Sequence, residues 1–470
     1  MADKTQQSAN SSDRIGTEKI GKLLWTFSVP AIIGMLVNAI YNIVDRIYVG
    51  LGVDPLGIAA ITLVSPLLMM IQASSMLIGV GANSLFAIKL GEGKRNEVES
   101  IMGNAFLLLC IIPGTVVLTS ALFMDPIMKN LLGVSQDVYP FAKTYLGICL
   151  IGGVPFAMGP GLNHFIRSDG HPRTSMLTQL IGAIVNIILD PIFIFGFKLG
   201  IAGAAWATIL SQYISFIWVL CYFNSRHTKL RFRVKEMPLK PRVVFRILSI
   251  GFAPCVMNIA MSLIQVFMNN SLIKYGGDIA VAAMGIAFSL LVICFMPLQG
   301  IGQGSQPIIG YNYGAKKYDR LMQCYKTALV CGTLFLTAGW IVVHLVPHLL
   351  IRIFTKEEGE LLELGIYALK TVTIMFPIVG LQILTSTYFQ AVGKPLQSTI
   401  IGMSRQLLFY LPMLFFLPKF FGLKGVFWSL PASDVLSVTF CALFMTSEWK
   451  KLKRLAAEQK ESGVPVPVTV

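Results

Sequence analysis

Twelve apolar runs, most of them about 20 residues or longer, dominate this sequence. A helix needs about 20 apolar residues to cross the hydrocarbon core of a bilayer, whereas a transmembrane β-barrel shows short alternating segments. The mean hydropathy of +0.70 is also far above that of a soluble chain of this length. We therefore predict an all-α polytopic membrane protein with twelve transmembrane helices. Their approximate bounds are 24–49, 57–88, 101–123, 141–166, 176–197, 202–223, 244–271, 279–311, 325–347, 366–391, 398–418 and 423–446.

The second half of the chain repeats the first at an offset of 222 to 224 positions. Such a constant offset over most of the chain is not expected by chance from an apolar composition. Two repeats in a membrane protein predict two pseudo-symmetric six-helix lobes, an architecture typical of transporters with alternating access. The matching pairs are Pro30 and Pro254, Gly79 and Gly302, Gly81 and Gly304, Gly91 and Gly314, Pro155 and Pro377, Gly170-His171-Pro172 and Gly393-Lys394-Pro395, Gly203 and Gly425, and Trp206 and Trp428.

A basic stretch with two prolines, Pro238 and Pro241, interrupts the apolar pattern between the sixth and seventh runs. We interpret it as a linker that faces lipid headgroups and fixes the topology; a specific regulatory role is the alternative. The predicted organisation is a polar cytoplasmic tail at 1–22, an N-terminal six-helix lobe at 23–225, a basic cytoplasmic linker at 226–243, a C-terminal six-helix lobe at 244–446 and a cytoplasmic tail at 447–470.

Lysine and arginine are distributed unequally between the two sides of the predicted membrane. The side that carries both termini holds 26 of them and the opposite side 9. Because positive charge marks cytoplasmic loops, both termini are predicted to be cytoplasmic. The net charge of +15 follows from the same bias, so anionic lipid headgroups suffice as partners and nucleic acid is not expected to bind.

Three carboxylates lie well inside the predicted spans: Asp45, Asp190 and Asp434. A charge at mid-bilayer costs several kcal/mol, so each needs a physical reason. Asp45 ends a polar stripe, because Asn38, Tyr41 and Asn42 precede it at spacings that place all four on one helix face. Such a stripe must face a cavity or another polar helix rather than lipid.

A second polar face lies on the fifth span, where Asn186 and Asp190 are one turn apart just before Pro191. Asn163 on the fourth span and Thr208 on the sixth could complete a cluster. Two carboxylates brought together in low dielectric do not both ionise readily, so such a site can take up and release a proton.

Structural roles are the alternative for each of these residues. Asp45 would then pair with Arg46 or cap a helix end, and Asp190 would cap a break at Pro191. In the same way Asn38, Asn163, Asn186 and Thr208 would each make packing hydrogen bonds between helices.

The second half has no counterparts of Asp45 and Asp190, so any ion coupling is predicted for the N-terminal lobe. For Arg405 two interpretations stay open: it snorkels toward the nearby membrane surface, or it pairs with Asp434. In place of those carboxylates, the spans of this half offer polar residues such as Gln265, Asn269, Asn270, Gln382, Gln390 and Gln406.

Motifs for other chemistry are lacking in the sequence. The eight cysteines are scattered through apolar spans, the five histidines form no ligand pattern, and neither Gly-x-Gly is followed by the Lys-Ser or Lys-Thr of a phosphate loop. We therefore expect no catalytic residues, no metal and no cofactor, and transport that is not driven by ATP on this chain.

The segments with the most specific pattern resemble the multidrug and toxic compound extrusion (MATE) family, in particular its bacterial DinF-like or MepA-like branch. The resemblance covers nearly the whole chain and both repeats. The segments that carry it are Tyr41-Asn42-Ile43-Val44-Asp45 with Val49-Gly50, Asn186-Ile187-Ile188-Leu189-Asp190-Pro191-Ile192-Phe193-Ile194-Phe195-Gly196 and Gly203-Ala204-Ala205-Trp206-Ala207-Thr208.

The resemblance implies a secondary multidrug exporter of the bacterial inner (plasma) membrane, a monomer that exchanges organic cations for H+ or Na+ by rocker-switch alternating access. It implies cation or proton coupling at Asp45, Asn186, Asp190 and Thr208. It places bound drug near Asn38, Tyr41, Asn163 and Asp190.

The chain departs from another branch of that family, which has acidic residues in spans seven and ten, so a sodium site in the C-terminal lobe is not expected. Three other functions are alternatives: a flippase for lipid-linked precursors, an intramembrane enzyme, and a scaffold or non-transporting receptor. A flippase of this kind usually needs a cationic cavity.

Overall fold

The computed structural model describes residues 14–53, 55–225, 228, 238–354 and 359–461. These residues are almost entirely helical, and no strand occurs among them. Most of the predicted linker, the first part of the N-terminal tail and the last residues of the C-terminal tail lie outside the described residues.

The described residues of the first half form seven helices of more than one or two turns. A short helix, Met124–Pro126, and a π-helical turn, Ile127–Leu131, follow the third of them, and a second π-helical turn, Ile192–Gly196, follows the sixth. Because Pro191 lacks an N–H for the regular helical bond, a wider π turn is a common continuation at such a point. The helices are α1 (Ile20–Gly52), α2 (Pro55–Gly91), α3 (Arg95–Leu122), α4 (Tyr139–Ile151), α5 (Gly153–Ser168), α6 (Pro172–Pro191) and α7 (Ile201–Asn224).

In the second half, the part that the structure describes contains six further helices and two short segments, the helix Pro347–Arg352 and the π-helix Ser404–Tyr410. The last helix continues beyond the predicted end of span twelve, so the predicted tail at 447–470 is helical as far as Glu461. The helices are α8 (Pro241–Gly314), α9 (Tyr318–Leu345), α10 (Glu360–Thr373), α11 (Phe376–Ala391), α12 (Pro395–Met403) and α13 (Leu411–Glu461).

Twelve spans result when bends and breaks are taken into account. Among the described residues, eight helical stretches are long and apolar enough to cross a membrane, and two bent pairs, α4 with α5 (49°) and α10 with α11 (51°), raise the number to ten. Two of the ten are interrupted by a glycine with positive φ, Gly277 in α8 (64°) and Gly422 in α13 (57°). Because each glycine lies in a predicted interhelical loop, dividing the chain there gives the twelve predicted spans.

The repeated Gly-x-Pro turn has a structural explanation. Gly170 has φ of 91° and Gly393 has φ of 69°, a conformation that L-residues with a side chain rarely adopt. Pro172 and Pro395 then occupy the first position of α6 and α12, where the missing N–H costs nothing. The two turns therefore start equivalent helices in the two halves.

The chain divides into two compact units. Unit 1 comprises Met1–Thr17 and Ile33–Gly251, and unit 2 comprises Glu18–Ile32 and Phe252–Val470. The division falls within α1 and within α8, the first helix of each half. Each of these helices therefore contributes residues to both units.

Glycines allow close helix crossings at equivalent places in the two units. In unit 1, a Cβ on Gly251 of α8 would overlap the backbone of Leu77 in α2, and one on Gly81 would overlap the carbonyl of Ile247. In unit 2, a Cβ on Gly304 would lie 2.7 Å from Cα of Ser28. Small residues let membrane helices approach until their backbones touch, which explains why Gly81 recurs as Gly304.

Aromatic and aliphatic side chains fill the interior of each unit. In unit 1, the rings of Phe86 and Phe165 meet edge to face at 5.3 Å within a cluster built by α2, α3, α5, α7 and the start of α8. In unit 2, the rings of Tyr325 and Tyr388 pack at 5.4 Å, and the Tyr325 hydroxyl lies 2.7 Å from Oγ1 of Thr385.

Candidate functional site

Asp45 and Asp190 lie side by side in unit 1. Asp190, near the end of α6, is fully buried, and Asp45, in the second half of α1, is partly buried. Their carboxyl groups lie close enough to interact electrostatically. Neither residue caps a helix end, because each lies inside a continuous helix. Among the described residues no ion pair joins Asp45 to Arg46, whose side chain is exposed.

One oxygen of the Asp190 carboxyl accepts a long hydrogen bond, and the other accepts none within the described residues. Asn186 Nδ2 donates to Asp190 Oδ1 at 3.4 Å. Within the described part of the chain, Asp190 Oδ2 and Asn186 Oδ1 are buried and have no hydrogen-bond partner. A carboxylate only accepts hydrogen bonds, so a bond between the two aspartates requires that one of them carries a proton. The pair with its unpartnered oxygens can thus hold a proton or a small cation.

The polar stripe of α1 faces α6. Asn38 Nδ2 donates to Gln179 Oε1 at 2.8 Å, and Asn42 Nδ2 donates to the Asn38 carbonyl at 2.6 Å. Tyr41 lies close enough to both aspartates to interact electrostatically with them. The stripe therefore meets a polar helix, as its composition predicts.

Gln179 belongs to this site and was missed by the sequence analysis. It lies seven residues before Asn186, two helical turns along the same face of α6. Its carboxamide occupies the space over Gly34, where a Cβ would come within 2.7 Å of Oε1. The spacing from Asn186 was the signal that could have identified it.

Asn163 does not join the aspartates. It is buried on α5, and its Nδ2 donates to the Ser175 carbonyl near the start of α6 at 3.1 Å. Fifteen residues separate Ser175 from Asp190, about 22 Å along a helix. The structure therefore places Asn163 at the opposite end of α6 from the carboxyl pair.

Thr208 lies on α7. It lines a small cavity of about 30 Å³ with Cys149 and Gln212, and its carbonyl accepts a hydrogen bond from Ser211 Oγ at 2.7 Å. Across the described residues no hydrogen bond joins Thr208 to Asp45, Asn186 or Asp190. Of the predicted cluster, the structure thus brings together the α1 stripe, Asn186 and Asp190.

Unit 2 holds its buried carboxylate in an ion pair. Arg405 Nε donates to Asp434 Oδ1 at 2.6 Å, and the guanidinium lies 5.5 Å from the ring centroid of Phe295. Arg405 therefore pairs with Asp434 rather than snorkelling. Gln382 Nε2 donates to the Ile401 carbonyl at 3.0 Å, which is a packing role.

The equivalent Gly-x-Pro turns use different polar partners. In unit 1, the Tyr222 hydroxyl donates to Asp169 Oδ2 at 2.8 Å and lies 2.8 Å from His171 Nδ1. Burial raises the pKa of the Asp169 carboxyl, in spite of its hydrogen bonds with Thr228 and Tyr222. In unit 2, Lys394 makes an ion pair with Glu448, which also accepts a hydrogen bond from the Tyr388 hydroxyl at 3.1 Å.

Comparison with known proteins identifies the family. The MatE family model matches the chain twice, over residues 30–192 and 254–416. The chain belongs to the MatE family. The double match also agrees with the internal repeat, and the resemblance inferred from the Asn-x-x-x-Asp-Pro segment is confirmed.

MatE relatives align with nearly the whole chain. The multidrug export protein MepA of Staphylococcus saprophyticus is 28% identical over 418 residues, which cover 89% of this chain and 90% of the relative. The protein of the same name from Staphylococcus haemolyticus is 29% identical over 429 residues, 91% of this chain and 93% of the relative.

Solved MatE structures share the fold. One is the outward-facing conformation of a multidrug resistance MATE family transporter of the MOP superfamily, with a TM-score of 0.88 and 24% identity over 94% of this chain and 98% of that one. Another, a MATE in complex with MaL6, gives a TM-score of 0.88 at 23% identity and covers 94% and 99%. The predicted fold, twelve helices in two six-helix lobes, is therefore confirmed for this MatE protein.

Proposed function

We propose that this MatE protein is a secondary exporter of organic cations in a bacterial plasma membrane, driven by H+ or Na+ moving in the opposite direction. The observation that carries the proposal is the pair of carboxyls, Asp45 and Asp190, in unit 1. Relatives that align over about 90% of their length are named multidrug export proteins, which supports the same function.

Competition for the carboxyl pair would couple the two fluxes. When the pair holds a proton, its net charge falls from −2 to −1 and its attraction for an organic cation weakens. When the proton leaves, the pair is doubly negative and attracts the drug more strongly. Because each ligand lowers the affinity for the other, the coupling is reciprocal. Alternating access by rocking of two repeats then carries drug and ion in opposite directions.

Broad substrate recognition follows from the kind of surface near the pair. Tyr41 and the aliphatic side chains of α1 provide aromatic and apolar surface, and the carboxyls provide charge. An aromatic ring attracts cations through its face, without a rigid hydrogen-bonding geometry. Such a site selects for positive charge and apolar bulk rather than for one molecular shape.

The chemistry of the site is compatible with either coupling ion. A proton needs only the two carboxyls. A sodium ion needs several oxygen ligands, and the unpartnered oxygens of Asn186 and Asp190 are available beside Asp45. The coupling ion is therefore H+ or Na+, and separate gradients of the two ions distinguish between them.

The experiment measures ethidium export from proteoliposomes, with a pH gradient and a sodium gradient imposed separately. We expect one gradient to drive export by the wild-type protein and Asp190→Asn to abolish it. Asp137→Asn, which removes an exposed carboxylate outside the spans, is the matched control and should transport as the wild type does.

Two results would contradict the proposal. One is gradient-driven export by Asp190→Asn at the wild-type rate, which would remove this carboxyl from the coupling. The other is wild-type protein that responds to neither gradient.

A flippase for lipid-linked precursors is less well supported. It calls for a cationic transport site that receives a pyrophosphate, whereas the proposed transport site of unit 1, the carboxyl pair, is acidic. In unit 2 the guanidinium of Arg405 is already paired with Asp434.

A further inference from the structure

A cavity of unit 1 lies away from the carboxyl pair, where α2, α3 and the start of α8 meet. Its volume is about 770 Å³. Four cationic side chains line it: Lys89, Lys240, Arg242 and Arg246. A cavity of this size accommodates a ligand of several hundred Å³. The positive charge of its lining indicates what kind of ligand it would bind.

The positive charge in this cavity is only partly neutralised. Among its described lining residues the one carboxylate is Glu97, which pairs with Lys89 at 3.0 Å, and Lys89 also pairs with Glu92 at 2.8 Å. Within the ranges that the structure describes, Arg242 and Arg246 make no ion pair. Two guanidinium groups therefore face the cavity without a described carboxylate partner.

A buried hydroxyl gives a second, independent indication of a ligand. Ser100 lines the cavity and is 4% exposed, and its Oγ has no hydrogen-bond partner among the described groups. Buried hydroxyls are rarely left without a partner, since that costs about 1–3 kcal/mol. An acceptor bound in the cavity would satisfy it.

Hydrogen bonds fix the cavity wall in place. Asn104 Nδ2 donates to the Pro238 carbonyl at 3.3 Å, and its Oδ1 accepts from the Lys240 backbone N–H at 2.8 Å. They hold the chain against α3 just before α8 begins at Pro241. The positive end of the α8 dipole thereby lies at the cavity, where it favours an anion.

We propose that this cavity binds a phosphate group, and that its source is the headgroup of an anionic phospholipid. Arginine recognises phosphate oxygens through paired N–H donors, which suits Arg242 and Arg246. The remaining lining includes Leu85, Ile101 and Val243. A ligand with a charged head and an apolar body matches this mixture better than a free phosphate does.

The position agrees with this source. The cavity lies on the side to which the distribution of lysine and arginine assigns the cytoplasm, where the leaflet carries anionic lipid. The proposal is independent of the exporter function, because none of these residues belongs to the carboxyl site.

The test measures binding of a fluorescent phosphatidylglycerol to the purified full-length protein in a neutral detergent, with and without inorganic phosphate as competitor. We expect Arg242→Gln with Arg246→Gln to weaken binding roughly 25-fold, about fivefold for each charge. Lys450→Gln with Lys451→Gln removes two exposed charges on α13 and should change binding less than twofold.

Each outcome has a defined meaning. Loss of lipid binding in the arginine variant, without competition by phosphate, supports the headgroup site. Competition by phosphate, lost in the same variant, supports a phosphate site filled from solution. Equal lipid binding by the arginine variant and the control overturns the proposal. Elution of the Arg242→Gln with Arg246→Gln variant from a sizing column at the wild-type volume guards against misfolding. Arg242→Lys with Arg246→Lys keeps the charge but not the paired donors, and should lose less affinity than the glutamine variant.

Discussion

Unit 1 and unit 2 share their packing but differ in how they hold a buried acid. Glycine crossings occur at equivalent positions, as with Gly81 and Gly304. Asp190 and Asp434 are both almost fully buried inside helices. Asp190, however, faces a second carboxyl, whereas Asp434 faces the guanidinium of Arg405 at 2.6 Å.

The difference shows how a duplicated fold can assign distinct work to its halves. An ion pair is neutral as a unit and resists the removal of either partner. Two neighbouring carboxylates repel each other unless a proton or a cation binds between them. How often the pair holds such an ion therefore depends on the proton or cation concentration. The carboxyl pair in unit 1 is therefore suited to binding and releasing ions, and the ion pair in unit 2 to stabilising the fold.

The largest effect is expected at the ion pair. Asp434→Ala leaves Arg405 buried without its partner and should lower the free energy of unfolding by about 3–5 kcal/mol. The double variant Arg405→Leu with Asp434→Leu should recover most of that loss, because both charges are gone. Thermal unfolding in detergent measures both. A single variant as stable as the wild type would show that the two units do not differ in this way.

The shared packing is tested at Gly251. Gly251→Ala would place a Cβ onto the backbone of Leu77, so the helices must separate, at a cost of about 1–3 kcal/mol. Gly50→Ala is the matched control, since a Cβ there meets nothing within 4 Å, and it should be neutral or slightly stabilising. Equal melting temperatures for the two variants would remove close crossing as the reason for the glycine.

Asp45 should behave in the opposite way to Asp434. Asp45→Asn removes one carboxyl of the proposed exchange site and should weaken ethidium binding about tenfold, equivalent to about 1.4 kcal/mol. Stability should not fall, because the variant also removes the repulsion between two carboxylates. Fluorescence anisotropy measures ethidium binding, and thermal unfolding of the same preparation measures stability, so the two effects are observed separately. Loss of stability with unchanged binding would instead mark Asp45 as structural.

The smallest difference is expected between the two Gly-x-Pro turns. Lys394→Ala leaves the buried Glu448 without its ion pair, whereas His171→Ala removes one hydrogen bond to Tyr222. We expect a loss of about 2 kcal/mol in the first case and about 1 kcal/mol in the second. Unfolding midpoints in denaturant measure both losses, and the reverse order would contradict the stronger role assigned to the ion pair of unit 2.

Much of the fold could be predicted from the sequence because hydropathy reports which segments leave water. The polar stripe from Asn38 to Asp45 was informative for the same reason, since polar groups on a span must find polar neighbours. The partner on α6, Gln179, follows from helical spacing once Asn186 is fixed.

Other parts depend on helix rotation and on packing between distant segments, which a single sequence does not encode locally. Asn163 lies on the expected helix, but its side chain donates to the Ser175 carbonyl instead of meeting the aspartates. The division of α1 and α8 between the units has no signature in hydropathy, because both parts of each helix are equally apolar. The helix that continues to Glu461 was missed because charged residues there resemble a tail.

Because α1 and α8 each contribute to both units, dividing the chain into two fragments would remove part of the packing of each unit. A fragment that ends before Pro241 would lack Ile247 and Gly251, which pack against α2. A fragment that begins in the linker would lack Ser28 and Ile32, which lie against Gly304 and Gly300. Complementary fragments produced together in one cell could exchange these pieces. Neither half would be a self-sufficient bundle, so an ancestral single-repeat chain with this packing would have needed a second copy of itself.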